Sequence, residues 1–310
     1  SLTMDTGKVS VVFNYLGYQY QIIDTILNQN MSINIALEPG ERIDEVVIKV
    51  KPNTKISESS QMSEISVPVK VIKRMPAILG EPDLIKTLQL LPGVQSGSEG
   101  SAGFYVRGGG PDQNLVLLDG APLYNTSHLF GFFSTFNPDA LNNVKLVKGG
   151  FPARFGGRLS SVLQIDMKEG NSKEFKGDAS IGLISSKFTF EGPIVKDKGS
   201  FIIAGRGSYA HLFLKLSSNK NSAYFYDLNT KLNYKFDSNN SLFLSGYFGR
   251  DYFGVSDSFI VNYGNALINF RWNHKFSEKI FSNLSLIYSD YYYGLELDFV
   301  GFKWNSGIQN

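Results

Sequence analysis

Residues 226–236 read YDLNTKLNYKF, in which Tyr226, Leu228, Thr230, Leu232, Tyr234 and Phe236 alternate with Asp227, Asn229, Lys231, Asn233 and Lys235. A period of two gives a strand one apolar and one charged face. The pattern returns where Ala266, Ile268, Phe270, Trp272 and His274 alternate with Leu267, Asn269, Arg271, Asn273 and Lys275, and more weakly over 201–209. A half-buried sheet in water alternates in the same way, so the period alone does not choose between water and lipid. Length and aromatic placement favour lipid. Runs of about ten residues suit a tilted strand crossing a bilayer, and Tyr, Phe and Trp gather near their ends as interfacial girdles do. About six such strands are predicted between residues 178 and 299, too few for a closed bacterial barrel, and an open edge cannot face lipid. The chain is therefore predicted to carry part of a barrel.

Other features narrow the function. The formal charge is +2 over 310 residues and the basic residues are scattered, which excludes the concentrated basic surface of a nucleic-acid binder. With no cysteine there are no disulfides or thiolate metal sites. His128, His211 and His274 lie far apart without metal-ligand spacing and read as structural or surface residues. No window reaches the ~20 apolar residues of a transmembrane helix, so any membrane passage must use strands.

Ahead of the alternating region the chain changes character three times. Residues 9–37 read as a small β-unit with strands in VSVVFNYLGYQYQ and MSINIALEP, the end of a sandwich that begins before this sequence. From residue 40 to about 66 the composition is polar and aperiodic, as in an exposed linker, apart from the apolar island DEVVIKV. Then GEPDLIKTLQLLPGV predicts a helix with Leu84, Ile85, Leu88 and Leu91 on one face, ended by Pro92 and Gly93. Four short strands follow at 104–107, 115–118, 144–147 and 162–167, giving a mixed α/β unit of ordinary domain size.

Between the first two of these strands lies RGGGPDQ. A glycine-rich loop beside a strand can cradle phosphate, but neither a Lys-Ser/Thr pair nor a dinucleotide fingerprint follows here. The glycines are better explained by a turn. Gly108, Gly109 and Gly110 reach torsions denied to other residues, Pro111 and Asp112 fix the bend, and the flanking strands are predicted to form a hairpin.

The stretch FYVRGGGPDQNLVLLDGAPLYNTSHLFGFFSTFNPDALNNVKLVKGGFPARFGGRLSSVLQIDMKEG, residues 104–170, resembles the plug domain of TonB-dependent outer-membrane receptors. GKVSVVFNYLGYQYQ is similar to the end of the carboxypeptidase regulatory-like sandwich that one branch of the family carries before the plug. The resemblance implies an α+β plug domain followed by antiparallel transmembrane β-barrel strands, here a partial barrel, preceded by the end of a β-sandwich. The divisions are 1–39 for the sandwich, 40–66 for a periplasmic linker, 67–170 for the plug and 171–310 for the first strands of a 22-stranded barrel.

As a family expectation, the protein sits in the outer membrane of a Gram-negative bacterium with its N-terminal part in the periplasm. It takes up a nutrient too large or scarce for porins, using energy delivered by TonB and its inner-membrane complex. Its other partners are outer-membrane lipid and, in some relatives, a surface lipoprotein lid. The resemblance implies no cofactor, metal or catalysis. The carboxypeptidase likeness concerns a non-catalytic accessory domain, and nothing brings Asp112 and Asp119 to one substrate as acid and base. The alternative function is a non-cycling plugged-barrel scaffold or secretion component.

The resemblance also assigns residues. Asp44, Glu45, Val46, Val47 and Ile48 match the TonB box, a segment captured as an added strand, although a last sandwich strand would read alike. Arg107 of the RG motif, Arg154 and Arg158 become candidates for pairing with acidic groups on the barrel wall. Asp119, with Gly120, would tie the plug's own strands. Phe130, Phe132 and Phe133 lie either in the plug core or along the substrate path.

Overall fold

A computed structural model describes residues 7–13, 21–29, 31–33, 35–36, 63–75, 81–97, 103–209, 211–212, 221–256 and 258–310. The chain divides into two compact units, Ser1–Ser59 and Ser60–Asn310. In the first unit β1 (Gly7–Phe13) pairs antiparallel with β2 (Gln21–Leu27), and Ser10 donates a hydrogen bond to the Asp24 carboxylate. The second strand was expected in MSINIALEP. It falls instead on QIIDTIL, where the adjacent Ile22 and Ile23 disguise the alternation, and the described residues 31–33 and 35–36 are not strand. The TonB-box candidates Asp44, Glu45, Val46, Val47 and Ile48 lie outside the described residues.

The second unit opens with β3 (Glu64–Ser66), within the segment expected to be linker. Two short helices follow, α1 (Val69–Arg74) and α2 (Leu84–Gln89). The Asp83 carboxylate caps α2 by accepting from Lys86 N at 3.0 Å, and Leu84, Ile85 and Leu88 point into the core as their spacing requires. The remaining strands of this part are β4 (Val94–Ser96), β5 (Phe104–Val106), β6 (Asn114–Leu118), β7 (Ala121–Pro122), β8 (Ser127–His128), β9 (Phe133–Ser134), β10 (Leu141–Lys148) and β11 (Ser161–Met167). A central sheet in the order β3-β10-β11-β6-β7 contains one parallel pair, β11 with β6. Val144, Leu146, Leu163, Ile165 and Met167 pack with α2 in one apolar core.

The predicted hairpin at RGGGPDQ is corrected. β5 pairs with β4, whereas β6 joins the central sheet, and a single 3-10 turn over Pro111–Gln113 separates them. The Asn114 amide at the head of β6 spends its hydrogen bonds on the Phe104 and Gly110 carbonyls and on Ser161, so it links the strands without laddering them. Only Gly108 of the three glycines needs a positive φ, +83°. Gly109 is required by close approach, since an added Cβ would lie 2.6 Å from Ser160 Cβ.

From residue 176 onward the chain is a meander of eight antiparallel strands: β12 (Lys176–Ile181), β13 (Ser185–Val195), β14 (Gly199–Ser208), β15 (Ser222–Lys235), β16 (Asn240–Val255), β17 (Phe259–Lys275), β18 (Phe281–Leu297) and β19 (Phe302–Gln309). Sequence alternation had marked about six. β19 lies beyond residue 299, where the count stopped, and β12 is short, with only small residues and Ile181 on its less polar face, KGDASI.

The plug-like part covers one face of this sheet. On β15 Asp227 and Lys231 are each 4 % exposed, whereas Tyr226 and Leu228 are 48 % and 41 % exposed. The same inversion holds on β17, where Asn265 and Asn269 are buried and Ile268 and Trp272 are outside. A half-buried sheet in water does the reverse. Such strands bury their polar face against a plug and present their apolar face outward, the arrangement of a plugged membrane barrel.

Candidate functional site: the interface of plug and wall

The buried polar face of β13–β18 reads the plug largely through its backbone. The Asn265 side chain accepts from Asn125 N at 3.2 Å and donates to Asn125 O at 3.0 Å, standing in for a neighbouring strand. Asn269 Nδ2 donates to Asp119 O at 2.6 Å, Ser289 Oγ to Pro122 O at 2.6 Å, and both Asn233 Nδ2 and Ser200 Oγ to Glu169 O. The Asn269 bond satisfies a buried plug carbonyl that would otherwise lack water, and the others meet carbonyls that are part-buried or, at Glu169, exposed.

Three wall cations add charge to these contacts. Lys231 Nζ lies 3.1 Å from Asp119 Oδ2 and donates to Met167 O at 3.0 Å, while Asp119 Oδ1 accepts from Met167 N at 2.9 Å. The carboxylate therefore ties the end of β6 to the end of β11 and both to β15. Lys187 on β13 pairs with Asp139 at 2.7 Å, which Lys73 of α1 also holds at 2.6 Å. Burial alone would raise the Asp139 carboxyl, but its two lysine partners keep it below the usual carboxylate range.

The third cation, Arg206 on β14, sits in a buried cluster around His128. Its Nε and Nη2 donate to Asp227 Oδ2 at 2.9 and 2.6 Å, Nη2 also to Ser134 O at 2.7 Å, and Nη1 lies 3.5 Å from Glu81 Oε2. Ser185 Oγ completes Glu81 at 2.7 Å. His128 Nδ1 is 2.6 Å from Asp251 Oδ2, and its Nε2 is 3.3 Å from both Asp227 Oδ2 and the Tyr247 hydroxyl. Its ring stacks on Phe225 at 4.3 Å, and Phe225 also lies under the Arg206 guanidinium. Three carboxylates, Glu81, Asp227 and Asp251, thus face one permanent cation and one imidazole. Burial disfavours an imidazolium here, yet Asp251 and Asp227 more than offset it, so the His128 pKa is raised above its ordinary value.

Beyond His128 the plug makes a tight turn in which Leu129 and Phe130 both have positive φ, 47° and 57°. Non-glycine residues adopt this only when their surroundings insist. The wall supplies the insistence. Asp251 Oδ1 accepts from Leu129 N at 2.7 Å and the Tyr263 hydroxyl from Phe130 N at 2.9 Å. Phe130 is consequently held out, 43 % exposed, between Phe253 and Tyr263, with Phe132 55 % exposed beside it. Phe133 turns inward and packs on Phe225.

The arginines of the sequence analysis make their contacts inside the plug. Arg107 Nη2 donates to Ser63 Oγ at 3.0 Å, Arg154 lies over Phe155, and Arg158 Nη1 donates to Gly157 O. Gly120 follows Asp119 with a φ of +87°, and the two make the turn that presents the Asp119 carbonyl to Asn269. Among the described strands the lysine and arginine pairs thus run opposite to the expected polarity, with wall cations Arg206, Lys231 and Lys187 holding plug acids Glu81, Asp119 and Asp139, and only His128 sets a plug cation against wall acids, Asp227 and Asp251. His128, read from its isolation as structural or surface, stands at the centre of the interface. The available signal was the charged face of β15, whose Asp227 needed a buried cationic partner. No group of three or more His, Asp or Glu among the described residues is placed to hold a metal ion.

Comparison with known proteins bears on the same regions. Residues 58–161 match the family model TonB-dependent Receptor Plug Domain. No curated protein matches the sequence. The fold is similar to that of the siderophore receptor PirA from Acinetobacter baumannii, with a TM-score of 0.60 and 14% identity over 80% of this chain and 44% of that one. It is also similar to a mutant of the ferric enterobactin receptor PfeA from Pseudomonas aeruginosa in complex with enterobactin, with a TM-score of 0.57 and 15% identity over 80% of this chain and 45% of that one. The outer membrane transporter YddB from Escherichia coli gives 0.56 and 12% over 76% and 40%. The chain spans less than half the length of each.

Proposed function

We propose that this chain, which carries a TonB-dependent receptor plug domain seated on strands of the receptor barrel fold, is the working N-terminal part of an energised outer-membrane transporter. The observation that carries the proposal is the inverted face of β15 and β17, polar toward the plug and apolar outward. Residues 67–170 act as the plug and 171–310 as the start of the barrel, with 40–66 as a periplasmic linker after the end of a regulatory-like sandwich at 1–39. The work done on the molecule is mechanical, not catalytic. Ligand binds on the far side, TonB captures the linker at Asp44, Glu45, Val46, Val47 and Ile48 by strand addition, and tension moves the plug off its wall contacts.

Hydrogen bonds from neutral wall side chains to plug backbone suit this cycle, because each contributes only about 0.5–1.5 kcal/mol net and water can replace it once the seat opens. The buried ion pairs are costlier to separate than neutral hydrogen bonds, because a charge left unpaired in the seat is poorly solvated, and they set the threshold for release. Purified periplasmic TonB domain should be captured by the full-length receptor and not by a variant lacking residues 44–48. Failure of both to capture a TonB domain that is competent on another receptor would remove the transport reading and favour a non-cycling scaffold.

A further inference from the structure

On the outward face, cross-strand registers stack into rows. Leu242–Trp272–Leu284, Leu244–Phe270–Leu286 and Gly246–Ile268–Tyr288 form an apolar band across β16, β17 and β18. Above it come Phe248–Ala266–Asp290 and then Arg250–Gly264–Tyr292, beyond which Asn262 and Glu296 are polar. Arg250 is the one Lys or Arg at an outward position among the described residues of β13–β18, and it stands where the apolar band ends.

Its guanidinium is fixed by aromatic rings, 5.3 Å from the Phe248 centroid and 5.4 Å from that of Tyr292. Gly264 lets the two strands approach here, since a Cβ would lie 2.1 Å from Gly249 O and 2.8 Å from Arg250 Cδ. Arg250 Nη1 is buried without a hydrogen-bond partner, and no ion pair joins Arg250 to Asp290 in the row below. From Phe248, the ring under the guanidinium, into the apolar band the outward face is hollowed. An apolar cavity of ≈ 390 Å³ is lined by Leu228, Leu244, Gly246, Phe248, Ile268 and Tyr288.

We infer that this hollow and Arg250 together form a binding site for one anionic membrane lipid, with an acyl chain in the hollow and a phosphate on the guanidinium. The inference rests on the membrane-barrel reading above. A planar guanidinium held on ring faces offers a fork matched to phosphate oxygens, and its level at the edge of the apolar band is the level of lipid headgroups. This edge lies toward the end of the strands that holds the longest connection, residues 209–221, beside short ones at 182–184, 256–258 and 298–301, whereas the opposite end has only short connections, at 196–198, 236–239 and 276–280. Long connections lie outside and short turns in the periplasm, so the lipid is one of the outer leaflet, where lipid A supplies the phosphates.

The test uses the full-length receptor reconstituted in phosphatidylcholine vesicles containing a minority of lipid A, floated, then extracted and weighed by native mass spectrometry. Wild type should retain one more lipid A than Arg250→Gln. Gly246→Ile, which fills the hollow from a position with ordinary backbone torsions, should lose the same lipid, and Arg250→Lys should retain it partly. Equal retention by wild type and both loss variants, with all of them co-floating, overturns the lipid site alone. A wild type that fails to co-float with the vesicles overturns the site and the membrane reading together.

Discussion

At the scale of single residues, His128 governs the pH response of the plug seat. Its folded pKa is raised, so its contribution is fully present below the unfolded value of about 6.5 and is lost as pH rises through the folded value. Neutral His128 leaves Glu81, Asp227 and Asp251 with Arg206 as their one cation, an imbalance that burial makes costly. Protection of the plug from limited proteolysis should therefore weaken from neutral toward alkaline pH in the wild type. In His128→Gln it should be lower at neutral pH and flat over that range. A wild-type profile that is flat, or that weakens only toward acid, would contradict this assignment. The sequence offered little warning, because a lone histidine in SHLF is indistinguishable from a core residue until β15 and β16 bring two carboxylates to it from about a hundred residues away.

At the scale of elements, the legible features were those written by local period. Alternation located β15 and β17, and the i, i+3, i+4 spacing located α2, because both patterns are fixed by backbone geometry. Which face of β15 turns inward was not legible from the period, which water and lipid share, and followed only from strand length and aromatic placement. The RGGGPDQ turn failed for a related reason. Local turn chemistry implied a hairpin, but Asn114 and Ser161 direct β6 to a parallel partner far along the chain. Elements joined by Asp119 give a direct check of how wall and plug cooperate. Lys231→Met removes the cation of a buried pair and should lower plug stability by about 3–5 kcal/mol, whereas Lys231→Met with Asp119→Asn should recover part of the loss. Chemical denaturation followed at a plug fluorophore measures both, and additive losses would show that the pair is not coupled.

At the scale of the whole molecule, the strand wall is turned inside out relative to a water-soluble sheet, and its cations and amides hold the plug. Ion pairs link strands to plug segments over long separations, from Lys187 with Asp139 to Arg206 with Glu81, so seating the plug and ordering the wall are one process. None of these 310 residues is cysteine, so a cysteine placed among them is the one label site within this segment. The most direct measurement places cysteines one at a time at 226–232 of β15 in full-length receptor, labels them with a fluorophore and quenches with spin-labelled lipid. The expected result is strong quenching at 226, 228, 230 and 232, and protection from labelling at 227, 229 and 231. Quenching at the odd positions, or at none, would contradict the inverted barrel wall and the transporter built on it.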